Sequence, residues 1–320
     1  MKPAFRKVLA AACLLLLVQA TLPAQEEGGT LPVLDRLRTR IERVLRNANG
    51  TVGVAVRHIE SGRGLAVNGD VLFPMASAFK VPILVELLAQ VQEGKFGLED
   101  EIDVQKSDQH PGSGMLSSLV MPGIKLSVLN MAHFMMMISD NSATDILLDK
   151  VGAANVNARL RAAGIEGMSV GRSCQGMIED YRRLVSGVRS PEERKKAIVA
   201  FGENPDDEAT PAAMNALLEK IVRKEILDPA NCDLLLSIMR KCETGNARIK
   251  GLLPRGTVVA HKTGSLAGTV NDCGLIVLPD GQGRIVLTVF SKDFIDPTED
   301  VEALIAGVAR VVYDCFYFSD

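Results

Sequence analysis

Ser77 and Lys80 stand three residues apart in the stretch Phe73-Pro74-Met75-Ala76-Ser77-Ala78-Phe79-Lys80. On a helix they face the same way. A serine hydroxyl beside a lysine amine is a candidate nucleophile with its base, provided burial lowers the lysine pKa. Alone the pair carries little weight, because an N-cap serine followed by an exposed lysine has the same spacing. Two further motifs follow in order, Ser139-Asp140-Asn141 and Lys262-Thr263-Gly264. Other chemistries have less to offer. His58, His110, His133 and His261 are scattered without zinc-ligand spacing, and no Gly-x-Ser-x-Gly elbow is present.

Each motif needs an element to hold it. Ile83, Leu84, Leu87, Leu88 and Val91 recur at helical spacing and Pro82 falls in an early turn, which predicts a buried helix starting near Ser77. The second motif closes a predicted helix over Leu126 to Ser139, whose Met131, Met135, Met136 and Met137 read as core filling. The third ends a predicted strand over Thr257 to Lys262. Further strands are expected at Thr51 to Ile59, Leu65 to Val67, Asn271 to Leu278 and Arg284 to Ser291. Amphipathic helices are expected at Leu31 to Ala48 and Thr298 to Tyr317, and others at 142–148, 153–163, 211–223 and 229–242. Residues 165–209 read as a long excursion with some helix near Ile178 to Leu184, and Glu192 to Lys196 as a solvated face.

Strands therefore cluster at both ends and helices fill the middle. The expected fold class is α/β: an antiparallel sheet formed from both chain ends and flanked by helices, plus an all-helical lobe. The α/β lobe would take about 31–76 and 245–320, and the helical lobe about 77–244.

Composition narrows the partners. The 320 residues carry a net charge of −3, no tryptophan and 4% aromatics, which gives no electrostatic or stacking case for nucleic acid. Lys2, Arg6 and Lys7 precede the apolar run Val8 to Ala20, and Ala20 and Ala24 supply small residues before Gln25. This predicts a signal peptide over residues 1–24, a periplasmic or secreted protein and no stable membrane insertion after cleavage; an uncleaved anchor is the alternative. Cys174, Cys232, Cys242, Cys273 and Cys315 remain, an odd number that leaves at least one thiol free or bonded to another chain.

The three motifs in this order are the set shared by class A β-lactamases and penicillin-binding proteins. The chain resembles that penicillin-recognising serine hydrolase family, and within it the class A β-lactamases, from about Leu31 to its end. Supporting stretches are Phe73-Pro74-Met75, Ser142-Ala143-Thr144, Thr210-Pro211-Ala212-Ala213-Met214 and Thr244-Gly245-Asn246-Ala247-Arg248-Ile249. The resemblance implies a β-lactamase/transpeptidase-like fold and a monomer that needs no metal or cofactor. Its substrate would be a small molecule, a β-lactam or a cell-wall peptide. Ser77 would attack the carbonyl to give an acyl-enzyme, with Lys80 as proton acceptor or its positive partner. Ser139 would pass the proton to the leaving nitrogen. The backbone N–H groups of Ser77 and Ser265 would form the oxyanion hole, and Asp140 would hold backbone. Lys262, Thr263, Gly264 and Ser265 would line the substrate carboxylate, Asn141 would bond a side-chain amide, and Arg248 would neutralise the carboxylate.

One departure matters. Class A enzymes carry, two residues after a loop arginine, a glutamate that activates the deacylating water. The arginine that fits is Arg172, with Asp207 as its partner in closing the loop, yet Cys174 occupies the glutamate position. Glu166 comes too early, and Glu179 is the candidate substitute. With a base in place the expectation is a β-lactamase that inactivates antibiotics. Without one, the chain would behave as a D-alanyl-D-alanine peptidase-like or penicillin-binding hydrolase with slow deacylation, or as a β-lactam sensor without turnover.

Overall fold

The computed structural model describes residues 30–318 apart from Pro122 and Pro205, with the side chains of Thr30 and Leu31 also left out. The expected signal peptide lies outside the described residues. Helix α1 (Thr30–Leu45) leads into β1 (Thr51–His58), and β2 (Gly64–Val67) returns beside it. β3 (Phe73–Pro74) is followed by a single 3-10 turn over Ala76–Phe79, after which the α-helical ladder of α2 (Lys80–Gln92) begins. The buried helix thus starts at Lys80 rather than Ser77. The turn keeps the three-residue relation between the two side chains, and Pro82 still falls in the first α-helical turn, where its missing N–H costs nothing.

The helical region contains more than periodicity indicated. β4 (Glu101–Val104) and β5 (Ile124–Ser127) pair as an antiparallel ribbon, so α3 (Val128–Met137) begins later than expected, capped by Ser127. α4 (Asn141–Val151) and α5 (Ala153–Ala162) follow closely. The excursion holds two helices, α6 (Cys174–Val185) and α7 (Pro191–Gly202). In α7 the charged run is the exposed first half, launched by a capping box in which Ser190 accepts from the Glu193 N–H. β6 (Glu208–Ala209) closes the excursion against β3, and α8 (Pro211–Arg223) and α9 (Pro229–Arg240) complete the middle of the chain.

The C-terminal part adds β7 (Val258–Leu266), β8 (Thr269–Val277), β9 (Arg284–Lys292) and α10 (Thr298–Tyr317). The five-stranded sheet runs β2-β1-β9-β8-β7 with antiparallel neighbours, so β1 lies against β9 and the two chain ends share one sheet. Two cores follow from its two faces. Leu37 and Ile41 of α1 pack with Val301, Ile305 and Val312 of α10 and with Val54 and Leu287 of the sheet. Leu84, Leu87 and Leu88 of α2 sit in the other core with Met131, Met135 and Met136 of α3, Met214 and Leu217 of α8, and Phe290 of β9. The methionines fill space, as expected of an adaptable apolar side chain. β7 is the free edge of the sheet, and its outward N–H and C=O groups face the turn that carries Ser77. No helix of the described residues is long and apolar enough to cross a membrane.

Candidate active site

The edge of β7 can approach the Ser77 turn because residue 264 is glycine. A Cβ there would collide with Met75 O and would lie 3.1 Å from Ser77 N. The approach is fastened from β8. Asn271, fully buried, donates from Nδ2 to Pro74 O (2.8 Å) and Met75 O (3.0 Å), while its Oδ1 accepts from Ser291 N (2.9 Å). Sequence reading passed over Asn271, since no short motif connects it with a turn almost 200 residues upstream. Two non-glycine residues flanking the site hold left-handed backbone, Ala76 at φ 45° and Ser139 at φ 58°. Such residues cost about 1–3 kcal/mol each and persist where surrounding contacts fix them.

The three motifs converge on one hydroxyl. Lys80 Nζ donates to Ser139 O (2.8 Å), Ser139 Oγ (3.0 Å) and Asn141 Oδ1 (3.1 Å). Lys262 Nζ donates to the same Ser139 Oγ (3.0 Å) and to Thr263 O (2.9 Å). Both ammonium groups are fully buried. Burial holds the Lys80 amine below the ordinary lysine range. Burial and the neighbouring Lys80 charge bring Lys262 down to about 7. Two cations on one hydroxyl in a dry site disfavour double protonation, so one amine is readily available as a base. Ser77, one turn before Lys80, is half-buried and lines the cleft together with Asn141, the amide that accepts from Lys80.

Asp140 holds backbone. Its Oδ2 accepts from Met115 N (2.7 Å) and Leu116 N (2.9 Å), and its Oδ1 caps α4 through Ala143 N (2.9 Å). It thereby pins the turn that brings Gly112 and Ser113 to the cleft, a contribution the turn composition alone did not reveal. Arg248 stands one step behind the cleft. Its guanidinium, 6% exposed, donates to Glu302 Oε1 (2.9 Å), Gly264 O (3.1 Å), Asn271 O (2.7 Å) and Ser265 Oγ (2.6 Å). Its charge reaches the exposed Ser265 through that last bond rather than by a free guanidinium face. Thr263 Oγ1 meets Thr244 Oγ1 at 2.6 Å.

The opposite wall belongs to the excursion. Arg172 Nε donates to Asp207 Oδ2 (2.8 Å), and the Gly171 and Arg172 amides donate to Asp207 Oδ1 (2.8 and 3.1 Å), so the expected pair does close the loop. Asp180 adds a second carboxylate at Arg172 Nη1 (2.8 Å). The Asp207 side chain is 1% exposed. Asp207→Ala leaves Arg172 its bond to Asp180 but takes the acceptor from the Gly171 and Arg172 amides, so the unfolding free energy should fall by about 1–3 kcal/mol in urea denaturation. An unchanged midpoint would mean the loop is held by other contacts.

Cys174 sits at the start of α6, buried, its amide donating to Asp145 Oδ1 (2.7 Å). Burial pushes its thiol up to about 12, so the group is neutral at pH 7. With Met177 and Ile178 it forms the cleft wall facing Ser77. Glu179 is turned away: it is exposed and accepts from Gln175 Nε2 (2.8 Å) on its own helix. Glu166 is exposed as well, and no carboxylate is among the described residues that line the cleft around Ser77.

A sequence model of the β-lactamase enzyme family matches residues 36–316. Among curated proteins, β-lactamase VEB-1 from Pseudomonas aeruginosa is 30% identical over 292 residues, covering 88% of this chain and 91% of that protein. The crystal structure of TLA-3 extended-spectrum β-lactamase superposes with a TM-score of 0.77 at 29% identity, over 88% of this chain and 99% of that one. The structure of PBP-A superposes with a TM-score of 0.73 at 30% identity, over 88% and 96% of the two chains. A variant of PBP-A has been solved as an acyl-enzyme complex with penicillin G.

Proposed function

Because the chain belongs to the β-lactamase enzyme family, we propose that it is a serine hydrolase that opens β-lactam rings through an ester on Ser77 and releases that ester slowly. In its neutral form Lys80 gives up one of its three donated bonds, and its lone pair takes the Ser77 proton as Oγ attacks the lactam carbonyl. The negative oxygen gathers at the amides of Ser77 and Ser265, on the β7 edge brought in by Gly264. As the C–N bond breaks, Ser139 gives its proton to the ring nitrogen and is resupplied by the ammonium groups at 3.0 Å. Lys262, Thr263 and Ser265, with Arg248 behind it, hold the substrate carboxylate. Asn141 is available to a side-chain amide.

The observation that carries this reading is Ser139 Oγ held between two buried amines, one of them Lys80, a turn after Ser77. The slow second half rests on the wall of Cys174, Met177 and Ile178. A missing general base costs about 10²–10⁴-fold in the step it serves. That wall also favours a second reading, a D-alanyl-D-alanine peptidase-like hydrolase for which β-lactams are slowly released inhibitors. We further propose export, on the basic and apolar pattern of residues 1–24; the mass of the mature chain recovered from a periplasmic extract tests it.

Incubation with a chromogenic cephalosporin, followed by intact mass, tests the main reading. A covalent adduct that outlives many half-times of acylation is expected. Rapid multiple turnover with no adduct would overturn the slow release, and neither adduct nor turnover across several β-lactams would overturn the functional reading. Cleavage of a D-alanyl-D-alanine peptide selects the second reading.

A further inference from the structure

Behind the Lys262-Thr263-Gly264 strand lies a buried set of polar groups that the acylation chemistry does not use. His261, on β7, is fully buried, and its Nδ1 faces Asp272 of β8 at 2.8 and 3.0 Å from the two carboxylate oxygens. Against a carboxylate this nitrogen must carry a proton. The other ring nitrogen, Nε2, is buried and makes no hydrogen bond. The group acting on it is the Cys242 thiol, just past α9, as a charge partner rather than in a formed hydrogen bond. Cys242 Sγ is 3.3 Å from Thr244 Oγ1, and Thr244 Oγ1 is 2.6 Å from Thr263 Oγ1. In neither contact does the geometry say which atom donates.

Proton counting makes the two contacts interdependent. Each threonine hydroxyl has one proton, and the short bond between them uses one of the two. With Cys242 as a thiolate, Thr244 must give its proton to sulfur, so Thr263 must give its own to Thr244. Thr263 then shows only lone pairs to the cleft. With Cys242 as a thiol, its proton goes to Thr244, Thr244 donates to Thr263, and the Thr263 proton is free to point outward. We propose that Cys242 sets the direction of the Thr244–Thr263 hydroxyl pair, and thereby whether Thr263 offers a proton or only lone pairs to a substrate carboxylate. The inference rests on the reading that places that carboxylate at Thr263. It makes Cys242 and Thr244 positioning residues.

The surroundings place the switch in an accessible range. Burial raises the Cys242 thiol, but His261, Lys262 and Thr244 outweigh it and bring the group down to about 6. Burial lowers His261, but Asp272 and Cys242 outweigh it and hold the imidazolium up to about 9. The remaining charged or titratable neighbours are Cys273 on β8, which burial holds as a thiol, Lys80 beyond Lys262, and Lys250, which donates to Cys242 O (2.9 Å). The longer contact from Sγ to Thr244 O, 3.8 Å, is the competing destination for the thiol proton.

The test is the ratio of second-order acylation constants, wild type over Thr244→Val, for a chromogenic cephalosporin carboxylate from pH 5 to 8. The valine keeps both lysines and removes the relay. It also removes one of the groups that hold Cys242 down, so the thiolate midpoint is read in each protein by ultraviolet absorbance. The ratio is compared between the pH at which both carry a thiol and the pH at which both carry a thiolate. The ratio should fall about 10-fold as pH rises through about 6, the size of one hydrogen bond to a charged group lost. A ratio that does not change with pH overturns the proposal. Independently, ultraviolet thiolate absorbance should show a step near pH 6 in the wild type that Cys242→Ser lacks; no such step also overturns it. This second measurement needs neither a folded valine variant nor acylation. A wild type that is never acylated therefore defeats the functional reading while the titration still decides the state of Cys242.

Discussion

Ser77→Ala should abolish the covalent adduct with every β-lactam tested and slow ring opening by on the order of 10⁶-fold, the scale seen when a serine nucleophile is removed from an acyl-transfer enzyme. The substitution should leave folding nearly untouched. Ser77 is half-buried on a 3-10 turn, and that turn is fastened by Asn271 and by the fit of Gly264 rather than by the hydroxyl. A stability change within about 0.5 kcal/mol is expected for such a site. Intact mass with kinetics and a urea melt of the same preparation therefore separate lost chemistry from lost structure. An adduct that persists in Ser77→Ala would move the nucleophile elsewhere and remove the reason for placing Lys80 and Ser139 in their roles.

Cys174→Glu should accelerate release of the ester by about 10²–10⁴-fold and convert a persistent adduct into turnover. Cys174 lines the cleft opposite Ser77, where burial and Asp145 outweigh the Lys80 charge and disfavour an anion. A carboxylate there would be held above the ordinary range, toward the pH at which a general base works best. The longer side chain enters a space that Met177 and Ile178 already share. Overpacking of about 1–3 kcal/mol is the expected cost, visible as a lower melting temperature. If the adduct of Cys174→Glu lasts as long as that of the wild type, the cleft withholds the hydrolytic water for another reason, and the apolar wall itself becomes the obstacle. Glu179→Gln is the companion measurement. With Glu179 exposed and tied to Gln175, the lifetime of the adduct should not change.

The legible part of the site was the part written at short range. Ser77 and Lys80 are three apart because a helical turn puts them side by side, and Ser139, Asp140 and Asn141 are contiguous because a helix end and the next cap share them. Arg172 and Asp207 were legible as a pair through their places at the two ends of the excursion, and the salt bridge joins them. The sheet was legible because alternation marks strands at both chain ends, which pair most simply with each other. Within the excursion the same reading caught only part of α6, as helix near Ile178 to Leu184, and lost α7. Gly176 and Gly187, together with the charged run, mask the periodicity of α6 and α7, and tertiary contacts such as Tyr181 edge-on to Phe201 support them instead.

By itself the sequence determined the chemistry on offer: two serines, two lysines and a strand edge, in an order that names the family, with a cysteine where a base belongs. Those are statements about residue type and spacing, which the covalent chain carries directly. Only the tertiary structure decided which of these groups share protons. It set Ser139 between two amines, drew Arg248 behind Ser265, turned Glu179 outward, and lined up Asp272, His261, Cys242 and Thr244 behind Thr263. Protonation depends on burial and on charges a few ångströms away, and those distances join residues tens to hundreds of positions apart. No local pattern encodes them; the packing of the β7 edge against the Ser77 turn and α9 does.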